Sequence, residues 1–211
     1  MRRALEIGGV VAAAILIGFG IASIVIGANG RSTVHSSLAE QKIVGTPDMT
    51  PTAIRAEAQK AGLNVSTLTI PSCSVANNPI TNGSDARCFA QYMTIHALEA
   101  TGGKYYAQMP RYASANGEGT DSEALALKSK SGQPVPNPAR EVWIQETALG
   151  TGLNTSYMAS QVSLFGIVVG VALLLSGLGF AVLAVGGALR NRDSVLAPER
   201  GGQGSAAPTS A

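Results

Sequence analysis

The chain has 211 residues, 45% of them apolar and only 13% charged, about half the roughly 25% charge of an ordinary globular domain. That shortage argues against a wholly soluble protein and against a highly charged disordered chain. The net charge of +2 is too small for a nucleic-acid footprint, so no nucleic-acid partner is expected.

Residues 1–6 carry Arg2 and Arg3 and form a short basic N-terminus. Residues 7–28 then run for 22 positions without a charge. At about 1.5 Å per residue they make about 33 Å of helix, enough for a hydrocarbon core about 30 Å thick. A cleaved signal peptide would have a shorter apolar core of roughly 7–15 residues, so an uncleaved transmembrane anchor is expected. Ala14, Gly18 and Ala22 form a ladder of small residues four apart. Such ladders suit close helix packing, within the chain or between copies.

Residues 29–161 have the length of one domain. Their ten basic and ten acidic side chains cancel, and both cysteines of the protein, Cys73 and Cys88, lie here. In an oxidising compartment that pair predicts a disulfide. A redox pair would want C-x-x-C, and a metal pair would want Cys and His clustered at short spacing.

Thr50 as N-cap and Pro51 at the first helical position open a helix that Gly62 stops. Val65 to Ile70 alternates and is β-branched, which predicts a short strand. Ser84 and Asp85 offer an N-cap for a helix over residues 86–100. Phe89, Tyr92, Met93, His96 and Ala100 share its apolar face, and Cys88 lies in its first turn. Residues 117–132 are polar and read as loop, and Pro134, Pro136 and Pro138 favour extended chain. A helix over residues 139–149 carries Val142, Trp143 and Ile144. Residues 153–161 follow with no strong breaker, which predicts one long helix into the next span.

Residues 162–189 are charge-free for 28 positions, more than one crossing needs. Gly166 and Gly170 form a G-x-x-x-G within them. Residues 190–211 begin with Arg190 and Arg192 and continue in Gly, Ser, Ala and Pro, so a disordered tail is expected. Basic residues flank the outer ends of both spans. The positive-inside rule then places both termini in the cytoplasm and residues 29–161 outside, in a multi-pass protein of the plasma membrane.

No phosphate-binding loop, nucleophile elbow or H-E-x-x-H occurs. His35 and His96 are the only histidines. His35 follows the first span in polar sequence and reads as solvated. His96 has Glu99 three residues on. A general base there is conceivable, but no paired nucleophile is visible and no third metal ligand sits at short spacing. The sequence therefore names no catalytic, cofactor-binding or metal-ligating set, and expects no cofactor. It predicts a mainly α membrane protein in which two transmembrane helices flank a small, mostly helical extracytoplasmic domain with minor β. The expected function is a cell-envelope binding or scaffolding module, with the lipid bilayer and a membrane or cell-wall protein as partners. Self-association through the transmembrane helices is a further expectation. The alternative is an envelope enzyme using His96, Glu99 and nearby tyrosines. A sensor is a third reading, with a tail of about twenty residues leaving little to signal with.

Three runs carry a family resemblance: KIVGTPDMTP at residues 42–51, RCFAQYM at 87–93 and HALEATGG at 96–103. They resemble an uncharacterised family of two-span membrane proteins from high-GC Gram-positive bacteria, and the likeness covers nearly the whole chain. The resemblance implies location and topology. Some members are labelled aromatic ring-opening dioxygenases, enzymes that need iron held by His and carboxylate ligands.

Overall fold

A computed structural model describes residues 2–186. The tail expected at residues 190–211 lies outside the described residues. Among the described residues four α-helices form: α1 (Arg2–Glu40), α2 (Pro51–Lys60), α3 (Gly83–Ala100) and α4 (Pro138–Val185). Two short 3-10 turns, Val65–Thr67 and Tyr106–Gln108, complete the regular structure. The fold is mainly helical, and no strand forms among the described residues, only isolated bridges such as Val44 to Pro79. Two units emerge: Met1–Ile24 with Val168–Ala211, and Val25–Ile167.

In the first unit α1 and α4 run antiparallel and in close contact. A Cβ added at Gly20 would fall 2.8 Å from the Gly170 carbonyl oxygen and 2.9 Å from the Leu174 nitrogen. Gly177 faces Ile17 and Ala13 in the same way. Ala13, Ile17, Gly20 and Ile24 thus recur at four and three, the rhythm of a coiled-coil seam. The small-residue ladders singled out in the sequence enter this contact only in part. Gly170 does lie at the contact, but Ala14, Gly18 and Ala22 are exposed, and a Cβ at Gly18 would meet nothing within 4 Å. A four-residue ladder drifts around the helix, whereas the line through Ala13 and Gly20 keeps facing Gly177 and Gly170. Gly166 is half-buried.

Both helices hold segments long and apolar enough to cross a membrane, Leu5–Glu40 and Pro138–Val185. Ile7, Phe19, Leu175 and Val182 are each more than 60% exposed. Water would penalise so much contiguous apolar surface.

In the second unit α2 and α3 pack together. Ile54, Ala58, Tyr92 and Ile95 are buried, joined by Leu38 from α1 and Leu153 from α4. A smaller cluster of Ala97, Leu98, Met109 and Trp143 continues along α3. The bounds of α2 follow the local signals. The Thr50 hydroxyl accepts from the Ala53 N–H at 3.2 Å, Pro51 opens the helix, and Gly62 takes the left-handed φ of +77°. For α3 the cap is Asn82, and the helix opens at Gly83, three residues before the expected start at 86. The Asn82 side chain accepts from the Asp85 N–H at 3.0 Å. The next residue, Gly83, lies so close to α4 that a Cβ would come within 2.9 Å of the Tyr157 Cα.

The strand expected at Val65 to Ile70 is a correction. Asn64 Oδ1 accepts from both the Ser66 N–H at 3.2 Å and the Ser66 hydroxyl at 2.6 Å. That local cap closes a turn in place of a ladder. Beyond the loop, residues 139–149, 153–161 and the second span as far as Val185 are one helix, with Pro138 at its first position.

Candidate functional site

The site is built outward from the cysteine pair in the second unit. Cys73 and Cys88 stand at disulfide distance, with sulfurs 2.02 Å apart, so the segment before α3 is tied to its first turns. One turn further, Tyr92 is fully buried and its hydroxyl donates to the Cys73 carbonyl at 2.6 Å. Both contacts fix the rotation of α3, and His96 follows one turn later.

The His96 ring lies 2.6 Å from Asp48, Nε2 to Oδ2, with side chains 25% and 20% exposed. Asp48 precedes α2 and is held in place by its neighbour Met49, which is 1% exposed. Glu57 reaches the same place from α2, flanked by the fully buried Ile54 and Ala58. One ligand atom each from Asp48, Glu57 and His96 lie within 4.8 Å of one another. Glu99, on the next turn of α3, has an Oε1 atom sealed from solvent with no hydrogen-bond partner.

Charge shapes this group. Burial works against an ionised Asp48. Hydrogen bonds from Thr46, from its own backbone and from His96, with the His96 charge, still hold its carboxyl below the usual range. Glu99 moves the other way. Burial raises it, His96 opposes, and the Glu57 and Asp48 carboxylates raise it further. Burial, and then Asp48, also raise the Tyr92 phenol.

Two other surfaces stand out in this unit. Tyr106, Trp143, Ile144, Thr147, Ala148 and Thr151 line an open groove of about 510 Å³. The Trp143 indole donates to the Lys104 carbonyl at 2.9 Å, Tyr105 stacks obliquely on it at 5.1 Å, and Arg140 lies 4.0 Å over Tyr106. A polar cleft of about 430 Å³ holds Arg31, His35, Asn82, Ser84 and Ser160.

The chain matches no family model, no curated protein and no solved structure.

The two histidines are therefore split between different places. His35 lines the polar cleft, while His96 joins the carboxylates. A non-haem iron of the oxygenase kind takes two imidazoles and one carboxylate on one face. The set here is one imidazole with two carboxylates, which does not fit that pattern, and no step through iron follows from it.

The alternative reading sets Glu99 beside His96. The structure gives it Asp48, 48 residues away, and adds Glu57. Neither acid carries a short-range signal. Asp48 lies in the run 42–51 and Glu57 on the helix predicted after Thr50, but nothing in either stretch points to His96.

Proposed function

We propose that this is a two-pass envelope membrane protein that presents its second unit outside the cytoplasm as a binding or scaffolding module. One observation carries the reading: a disulfide-paired helical unit lies between two segments long and apolar enough to span a membrane. Disulfides persist in oxidising compartments, and the basic residues at Arg2, Arg3, Arg190 and Arg192 favour the same side for the unit. The aromatic groove at Tyr106 and Ile144 suits a partner, because large amphipathic rings anchor interfaces.

The sidedness is tested with single cysteines at Ser129 and Ser205 in a Cys73→Ser, Cys88→Ser background. A membrane-impermeant thiol reagent on intact cells is expected to label position 129 and to spare 205. Labelling of 205 alone would invert the topology.

The short His96–Asp48 contact favours a second reading, an envelope enzyme in which Asp48 orients His96 as a general base. Glu99, one turn further along α3, would then keep its proton to higher pH than an ordinary carboxylate, because burial disfavours its charge.

A further inference from the structure

We propose that Asp48, Glu57 and His96 bind one divalent transition-metal ion, with Zn²⁺ the best match to the donor set. The proposal goes beyond the display of a binding module and does not depend on which side of the membrane the unit faces.

The first argument is convergence. The three residues come from the segment before α2, from α2 itself and from α3, yet their ligand atoms gather within 4.8 Å. Around a tetrahedral zinc, N and O ligands at about 2.0–2.2 Å stand roughly 3.4 Å apart. The His96–Asp48 pair at 2.6 Å would open by about 1 Å to admit the ion, and the wider pairs would close by a similar amount.

Glu99 supplies the second argument. Buried carboxylate oxygens are ordinarily hydrogen-bonded, yet its Oε1 is sealed and has no partner. It lies on α3 one turn beyond His96. Two carboxylates, Asp48 and Glu57, gathered with a single imidazole leave an excess of negative charge. A bound cation would neutralise it one turn of α3 away from the orphaned Glu99 oxygen.

Donor chemistry narrows the ion. Both cysteines are paired, so no described thiolate is offered to a soft ion such as Cu(I). Calcium wants six to eight oxygens, and magnesium prefers water and carboxylates to imidazole. One imidazole with two carboxylates offers N and O donors that zinc accepts, and three ligands leave its fourth position open.

The test uses the full chain in detergent, stripped with chelator. Titration calorimetry with Zn²⁺ is expected to show one ion per chain, and the thermal midpoint is expected to rise with Zn²⁺ concentration, as binding to the folded state alone requires. Co²⁺ in its place should give visible d–d bands of tetrahedral intensity. Glu57→Gln keeps the side-chain shape and should weaken Zn²⁺ binding by more than about tenfold, as should His96→Gln. His35→Gln, in the separate cleft, should bind as the parent does. Because Glu57→Gln is a conservative change, its chelator-treated melt shows whether the fold survives. Absence of binding by the parent chain overturns the proposal. So does Zn²⁺ binding that Glu57→Gln and His96→Gln both leave intact.

Discussion

His96 shows how much one side chain's surroundings decide its meaning. Its sequence position, on a helix face with Phe89, Tyr92 and Met93, suggests a packed ring. In the structure the ring is three-quarters covered, but its polar end meets Asp48. A hydrogen bond to a charged group contributes about 1.5–3 kcal/mol net. For the display reading, His96→Gln in the full chain is expected to lower folding stability by about 0.5–3 kcal/mol. Complementation of a deletion strain should fall only as far as folding does. An unchanged melt with lost complementation would reject that reading and favour the enzyme. What sequence could supply here was His96 itself and the neighbouring Glu99. Asp48 and Glu57 were out of reach, because positions 48, 57 and 96 meet only once α2 has docked on α3.

At the scale of helices, the contact between α1 and α4 depends on glycine placement. Gly20→Ala would push a methyl to within 2.8 Å of a backbone oxygen on the opposite helix, and backbone cannot rotate aside as a side chain can. Overpacking of this kind costs about 1–3 kcal/mol. The full chain carrying Gly20→Ala should therefore melt lower than the parent. Gly18→Ala, facing open space, should stay within about 0.5 kcal/mol of it. Equal melts for the two variants would show that the helices do not meet along this line. The existence of both long helices was legible, because unbroken apolar runs are a strong signal. Which face would meet the partner was not, since the chain offers small residues on several faces and only the partner selects among them. The boundaries of α2 were legible for the opposite reason: Thr50, Pro51 and Gly62 act within one turn of where they stand. Val65 to Ile70 misled because alternation alone cannot supply a neighbouring strand, and Asn64 offered a nearer bond.

Across the whole molecule, the apolar helices and the cysteine pair bear on where the protein resides. The pair spans 15 residues, and closing a loop of that size restricts the unfolded chain by about 3 kcal/mol. Replacing Cys73 and Cys88 together by Ser is expected to lower the stability of the full chain by roughly 2–4 kcal/mol. Peptides from unreduced protein should recover the two residues linked. Free thiols at both positions in protein taken from cells would contradict an oxidising location for this unit.

The single tryptophan has an optical consequence. Trp143 is the only Trp in the sequence. It is 6% exposed and packs against Ala97 and Leu98, the two residues directly after His96. Every photon of indole emission therefore originates from one buried position on α4, beside the turn of α3 that carries the carboxylate–histidine group. Excited selectively, that indole should emit at short wavelength while α3 and α4 stay together and move to the red when water reaches it. Oblique stacking with Tyr105 makes the same ring sensitive to small rotations of the segment after α3. The chain thus carries a native fluorophore that reads local opening at this junction, with no dye attached and no second tryptophan to blur the signal.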